Sequence, residues 1–543
     1  MDRAESPGDV TDIRARETRA AQRGFFVITG AKVWFLICGT ALNIGLPRIL
    51  GDPARFGDFG VVNTLISIVN MMVIAGAVQV MSKRVSEAPD VAAAIRRRGL
   101  QVMSVVGLFF CLSLALGAGW IAEHIFHDPN LVDLIRIASV IPLAYGFYAV
   151  IIGILNGLKR FTPQALFDIG FATMKLALII GLVILGFGVP GAFIGFAAAA
   201  LAIALASFFL TRKMVSQPAA PQADVKIVKF LVQVMFYTLF VNILVQGDVL
   251  ALKAATFDPI LAALSTSEGA DRLAVLAGTL GLAPEGLAPA LASESTAMLA
   301  GLYRATKNVS LISYQAVIAI TFVIFPLVSR ATFQSDGEAT RAYIRQTLRT
   351  ALLLVACIAS LVAAGGKPLL IFLFGDVYGL AAPALYPMLG AMTAFSLLFV
   401  MGTILTAGGR PFDAMWIAGV AAAIQLTTLF VGLPVITPGA GVLAWAAVGT
   451  LAAIGLPLVL AGVVVRRRFR APLPYLTLAR AVVAGIACVL AAYPLPWQGL
   501  LGILIRVAVG GLVFLGVLIV SREIGKEELA MCKRLLSRRS GDS

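Results

Sequence analysis

Long apolar runs, broken by short polar and basic stretches, make up most of this chain. Runs of spanning length lie near residues 25–48, 58–81, 100–123, 133–156, 164–186, 190–211, 229–252, 302–328, 348–373, 381–407, 412–432, 439–465, 478–495 and 499–521. A helix needs ~20 consecutive apolar residues to cross the hydrocarbon core of a bilayer. The pattern therefore predicts an all-α, polytopic membrane protein with fourteen transmembrane helices. A transmembrane barrel would show ~10-residue segments alternating between apolar and polar positions, whereas 178–210 and 442–465 are apolar without alternation. Composition agrees. Of 543 residues, 59% are apolar and 13% charged, about half the charge of an ordinary soluble domain, and the mean hydropathy is +0.94. A soluble globular enzyme is excluded.

The net charge of +15 and pI near 9.9 invite a nucleic-acid reading, but the basic residues are dispersed between spans and form no single patch. No nucleic-acid partner is expected. Their distribution instead gives an orientation, because cytoplasmic loops of membrane proteins collect Lys and Arg. With the N-terminus placed inside, thirty-one of the forty-three basic residues fall in inside segments. These include Arg96, Arg97, Arg98, Lys159, Arg160, Arg341, Arg345, Arg349, Arg410, Arg466, Arg467, Arg468 and the tail from Arg522 to Arg539. Outside loops hold Arg48, Arg55, Lys253, Arg272 and Lys367. Both termini are expected in the cytoplasm, with the basic tail weakly attracted to anionic lipid. The first residues lack the short apolar core and cleavage site of a signal peptide. Cys38, Cys111, Cys357 and Cys488 fall inside expected spans and Cys532 in the tail, so no disulfide framework is expected. His124 and His127 have only Asp128 beside them, too few ligands for a metal.

An internal repeat organises the chain. Ile154-Leu155-Asn156-Gly157-Leu158-Lys159-Arg160 closes the fourth span, and Ile404-Leu405-Thr406-Ala407-Gly408-Gly409-Arg410 closes the tenth. Pro190-Gly191-Ala192 and Pro438-Gly439-Ala440 each open a Gly- and Ala-rich span that ends in basic residues. Six spans per half is an even number, so the halves start from the same side and form parallel repeats with the substrate expected between them. The expected organisation is a cytoplasmic tail 1–24, an N-lobe 25–213, a linker 214–228 around Gln217–Gln222, and a C-lobe 229–466. An outer insertion at 254–299, two additional helices at 478–521, and a basic tail 522–543 complete it. Within the insertion, Leu273, Leu276 and Leu280 suggest a short amphipathic helix.

Charges inside spans are costly when they face lipid, so they mark pathways or pairs. Lys175 lies about twelve residues into the fifth span, ~18 Å along a helix rising 1.5 Å per residue and hence near the bilayer midplane. Asp168 stands seven residues earlier on the same face, and Lys32 sits in the inner third of the first span. In the seventh span Asn242, Gln246 and Asp248, and in the eighth Arg304, Lys307, Tyr314 and Gln315, enter from one side. Asp248 either pairs with Lys307 or Arg304 to hold the second lobe together or faces a cavity. Cations outnumber carboxylates in this set, which suits an anionic cargo, whereas exporters of organic cations need unpaired acids. Asp168 or Asp248 is the candidate site for a coupling ion, H⁺ or Na⁺. No other cofactor is expected.

Several segments resemble one known family. They are Gly51-Asp52-Pro53-Ala54-Arg55-Phe56-Gly57-Asp58-Phe59-Gly60, Gly153 to Arg160 with Phe161-Thr162-Pro163, Ala300-Gly301-Leu302-Tyr303, Phe325-Pro326, and Thr406-Ala407-Gly408-Gly409-Arg410-Pro411. Together they resemble the polysaccharide-type oligosaccharide flippases of the multidrug/oligosaccharidyl-lipid/polysaccharide exporter superfamily. The resemblance implies two six-helix lobes arranged as a V, alternating access, and a polyprenyl-diphosphate-linked glycan as cargo. The expected function is translocation of that cargo to the outer leaflet of a bacterial or archaeal cytoplasmic membrane, for cell-surface polysaccharide assembly and without covalent chemistry. On this reading Lys32, Lys175, Lys307 and Arg304 bind the diphosphate, while Asn242, Gln246, Tyr314 and Gln315 suit sugar hydroxyls. The first span lacks the arginine-rich stretch of lipid II flippases. The expected state is a monomer in contact with membrane lipids. Two alternatives remain: a cation-coupled multidrug exporter of the same superfamily, and a membrane glycan polymerase, ligase or glycosyltransferase.

Overall fold

A computed structural model describes residues 7–212, 228–266, 284–333, 337–436, 440–495 and 499–523, with side chains described over most of these from Val27 onward. Every regular element among the described residues is helical, as it must be where no water is present to satisfy an open backbone. The α-helices are α1 (Pro7–Leu50), α2 (Pro53–Glu87), α3 (Ala92–Trp120), α4 (Leu131–Ala138), α5 (Val140–Gly157), α6 (Phe161–Leu182) and α7 (Gly188–Thr211). They continue with α8 (Val228–Leu264), α9 (Pro284–Phe333), α10 (Gly337–Phe374), α11 (Ala382–Ala407), α12 (Pro411–Gly432), α13 (Ala440–Phe469), α14 (Tyr475–Ala492) and α15 (Gly499–Val520). Among the described residues, twelve helical segments are long and apolar enough to cross a membrane. The fourteen expected spans divide one of these, Phe161–Thr211, into α6 and α7, and add the charged stretch of α9. The division is physical: Gly186 (φ 93°) and Gly188 (φ 56°) adopt left-handed backbone between α6 and α7, which then pack against each other.

The chain divides into two compact units. The first comprises Met1–Gln246 with Leu273–Gly301, and the second Gly247–Arg272 with Leu302–Ser543. In the first, α1 packs on α6, α2 and α3 on α5, and α7 on both α5 and α6. Its core includes Val73, Val80, Met81, Ile95, Met103, Val150 and Ile154, closed at one side by Leu231 of α8. Asp52 starts α2 by accepting a 2.8 Å hydrogen bond from the Ala54 amide, with Pro53 as first helical residue. Gly57 lets α2 touch α9 so closely that a Cβ there would lie 1.7 Å from the Ala297 carbonyl oxygen. In the second unit α11 packs on α10, α12 and α13, α12 packs on α13, and α10, α14 and α15 form a three-helix group around Ala364, Cys488 and Phe514.

The two halves repeat at the level of individual hydrogen bonds. At the end of α5, the amides of Leu158, Lys159 and Arg160 donate to the carbonyls of Ile154, Asn156 and Leu155 at 2.9, 3.0 and 2.8 Å. At the end of α11, those of Gly408, Gly409 and Arg410 donate to Ile404, Thr406 and Leu405 at 2.9, 3.1 and 2.8 Å. Both are left-handed helix caps, with φ 57° at Lys159 and 76° at Gly409. The helix pairs recur as well: α3·α5, α5·α6, α5·α7 and α6·α7 correspond to α10·α11, α11·α12, α11·α13 and α12·α13.

Helices run longer than the hydropathy windows. The segment expected as an outer insertion from 254 is helical as far as Leu264 and again from Pro284, because Ala255, Phe257 and Ile260 keep an apolar face that continues α8 into a packed core. Lys253, expected in an outer loop, is fully buried on α8. Leu273, Leu276 and Leu280, the linker Gln217–Gln222, Pro438-Gly439, Cys532 and the tail beyond Glu523 lie outside the described residues.

Candidate functional site

Among the described residues, each unit holds one aspartate bonded by a lysine and a tyrosine. In the first unit Asp168, on α6, is buried with 6% of its surface exposed. Its Oδ2 accepts from Lys32 Nζ of α1 at 2.7 Å, and its Oδ1 from the Tyr148 hydroxyl of α5 at 2.9 Å. The lysine side chain is 55% exposed, so this ion pair has a dry carboxylate end and an open ammonium end. Packing of α1 on α6 brings the two residues together across 136 positions of sequence. The same seam carries a second polar link, the Trp34 indole N–H to the Thr173 hydroxyl at 3.0 Å.

Two residues past Thr173, Lys175 extends over the face of Phe196 on α7, its Nζ 3.7 Å from the ring centroid. A cation over an aromatic face gains ~0.5–2 kcal/mol, depending on how far it is desolvated. Tyr145 and Tyr148 flank Phe171 beside Asp168, with ring centroids 5.3 and 6.0 Å from it. Gln164, one turn before Asp168, is also buried. Lys32, Lys175 and Asp168 give this part of the first unit one more positive than negative charge.

In the second unit Asp248, on α8, is fully buried and bonded by Lys307 of α9, itself 3% exposed. The Tyr303 hydroxyl donates to the other carboxylate oxygen at 3.1 Å and lies 3.4 Å from the Thr450 hydroxyl of α13. Arg304 and Lys253 are buried in the same unit. Of the two readings of Asp248, the coordinates place it in the paired one. This cluster is dry throughout, whereas that of the first unit opens at Lys32.

The remaining sequence candidates fall elsewhere. The Asn242 side-chain amide donates to the Thr238 carbonyl one turn back along α8 at 2.8 Å. Gln246 and Gln315 are half-buried. Tyr314 packs edge-on against Phe395 and Phe399 with centroids 5.0 and 5.4 Å away. Sequence reasoning missed Tyr148, Tyr303, Thr450 and Phe196. All are uncharged, and an uncharged residue in an apolar run carries no warning of a partner. Tyrosine inside a span is the one usable signal, since a buried hydroxyl seeks an acceptor. Among the described residues no three His, Cys, Asp or Glu side chains come together as a metal site.

Comparison with solved structures places the fold. The chain is similar to the lipid II flippase MurJ in an inward closed conformation, at 12% identity with a TM-score of 0.66, over 92% of this chain and 99% of that one. It is similar to an inward-facing multidrug resistance MATE family transporter of the MOP superfamily at 12% identity and TM-score 0.59, over 79% of this chain and 94% of that one. It also resembles a MOP superfamily transporter from Pyrococcus furiosus at 14% identity and TM-score 0.52, over 83% and 97%. Comparison with curated protein sequences yields no match. At these identities the likeness establishes a shared all-helical fold, that of a multi-pass membrane protein. A family model described as polysaccharide biosynthesis protein matches residues 21–332, more than half of the chain, and the protein belongs to that family.

Proposed function

We propose that the protein is a flippase moving a polyprenyl-diphosphate-linked oligosaccharide from the inner to the outer leaflet of a bacterial or archaeal cytoplasmic membrane by alternating access. The observation that carries this reading is the open ammonium of Lys32. Its carboxylate partner is buried and held by Tyr148, while more than half of the lysine side chain is exposed. Two of its three N–H donors remain for an incoming anion, and Lys175 adds a second cation in the same unit. A diphosphate carries about two negative charges and is stabilised by such charge-assisted bonds. The link between lipid and glycan supplies that group, and family membership supports the glycan. No bond is made or broken, so no enzyme activity is invoked.

On this reading both termini are cytoplasmic, the working unit is a monomer, and a coupling ion, H⁺ or Na⁺, acts at Asp168. Of the two aspartates, Asp168 has a partner whose side chain is exposed. Neutralising it releases Lys32, whereas Asp248 is enclosed with Lys307. The test is leaflet transfer of a fluorescent polyprenyl-diphosphate oligosaccharide in vesicles reconstituted with the full-length protein. Transfer faster than in protein-free vesicles, with no efflux of cationic dyes, supports the flippase. Dye efflux without glycan transfer favours the multidrug exporter, whose fold this chain shares.

A further inference from the structure

Away from both aspartate clusters, a cavity of about 780 Å³ opens at one end of the three-helix group formed by α10, α14 and α15. Arg345 and Arg349 of α10, Arg480 of α14, and Arg522 and Glu523 after α15 line it. Four arginines against one glutamate leave three positive charges around one space. Glu523 is the keystone. It is 4% exposed and accepts from Arg349 Nε at 2.8 Å, Arg480 Nη1 at 2.7 Å and the Thr477 hydroxyl at 2.8 Å. That arrangement fixes two guanidinium groups at the wall, and Arg349 Nη2 also donates to the Glu523 backbone carbonyl. Among the described residues, Arg345 and Arg522 make no ion pair, and both are exposed at the mouth.

We propose that this cavity binds the phosphodiester headgroup of an anionic phospholipid. A rigid set of guanidinium forks is suited to phosphate oxygens, and basic pockets at helix ends on the cytoplasmic side of membrane proteins take such headgroups. The α14 helix begins at the cavity, with Pro472, Leu473, Pro474 and Tyr475 in its lining, so the positive end of its dipole adds to the field. The lipid, rather than free phosphate, is favoured by what leads away from the rim. Leu476, Val483 and Leu490 are 72%, 57% and 67% exposed and recur every seven residues, a continuous apolar strip starting at the cavity. An acyl chain lies along that strip while its phosphate sits among the arginines. The lining comes from three segments that the distribution of basic residues assigns to the cytoplasmic side, so the lipid belongs to the inner leaflet.

The test uses full-length protein in neutral detergent and follows its unfolding midpoint while phosphatidylglycerol, phosphatidylcholine or inorganic phosphate is added. Phosphatidylglycerol raises the midpoint and phosphatidylcholine does not. In Arg345→Ala/Arg522→Ala, phosphatidylglycerol binds about thirtyfold more weakly, whereas the charge-matched control Arg97→Ala/Arg98→Ala in the first unit binds as wild type. As a second measurement, wild-type protein extracted from vesicles of equal phosphatidylglycerol and phosphatidylcholine retains phosphatidylglycerol adducts in native mass spectrometry. A midpoint shift reproduced by inorganic phosphate alone overturns the lipid assignment. Equal weakening in the control, or extraction with no preference between the lipids, overturns the site.

Discussion

Lys307→Met removes the cation that balances the fully enclosed Asp248, and the expected loss follows from that enclosure. Asp248 is 0% exposed and Lys307 3%, so water cannot replace the missing partner. Breaking one side of a buried pair costs ~3–5 kcal/mol, because the remaining charge is stranded in a medium of low dielectric constant. The Tyr303 hydroxyl keeps its bond to the carboxylate but adds no positive charge, so it offsets only part of the loss. Replacing both members, Asp248→Leu with Lys307→Met, removes the stranded charge and recovers most of the stability. Lys32→Met, by contrast, removes a partner whose side chain is 55% exposed, but it leaves the buried Asp168 with the Tyr148 hydroxyl alone, so its loss is smaller than that of Lys307→Met without being negligible. The assay is the unfolding midpoint of the full-length protein in one detergent, measured for wild type, the two single lysine variants and the double variant. A large drop for Lys307→Met, recovery in the double variant and a clearly smaller drop for Lys32→Met are expected. If Lys307→Met and Lys32→Met fall equally, burial does not separate the two clusters and the division of labour between them is wrong.

Other variants address the frame and the cavity. Gly57→Ala sets a methyl group against the Ala297 carbonyl and is expected to destabilise by at least ~1–3 kcal/mol, measured as a lower midpoint and poorer yield. Gly409→Ala forces a side chain into left-handed backbone at φ 76° and costs ~1 kcal/mol, while Lys159→Gly at the matching cap is neutral or slightly stabilising. The carboxyl of Glu523 is raised by burial, but its bonds from Arg480, Arg349 and Thr477 outweigh this and hold it below its ordinary value of 4.5. Its contribution to stability is therefore complete above that value and disappears as the pH falls through the lowered one. Acid titration of the midpoint shows the difference from Glu523→Gln narrowing below about pH 4.5 and constant above it.

The helices and the repeat were legible in the sequence because both leave marks that do not depend on tertiary structure. Spanning length is set by bilayer thickness, and the caps at Leu158–Arg160 and Gly408–Arg410 are short local motifs whose hydrogen bonds close within six residues. Helix ends were less legible. Hydropathy falls where Lys253 and Thr256 enter α8, yet the backbone stays helical because those side chains are buried inside protein, where lipid imposes no limit. The charged candidates were found, since an ion in an apolar run is conspicuous. Their partners were not, apart from Asp248 and Lys307, because pairing depends on which helices touch. Lys32 and Asp168 are 136 residues apart, and nothing local in either segment reports that α1 lies on α6. Asp168 and Lys175, neighbours on one helix face by sequence, have separate partners, Lys32 with Tyr148 and Phe196. Glu523 escaped notice for the opposite reason: it stands in a basic tail, where a carboxylate looks solvated until three helices close around it.

In the proposed function, cations of the first unit carry the diphosphate of a lipid-linked glycan across the membrane. This step is tested most directly by initial rates of leaflet transfer for fluorescent polyprenyl-diphosphate oligosaccharide, comparing wild type with Lys32→Ala and Lys175→Ala at matched protein incorporation. Clear transfer by wild type is expected, with rates at least ~10-fold lower in each variant, the factor for ~1.4 kcal/mol of lost phosphate binding. Wild-type rates in both variants would contradict the proposal.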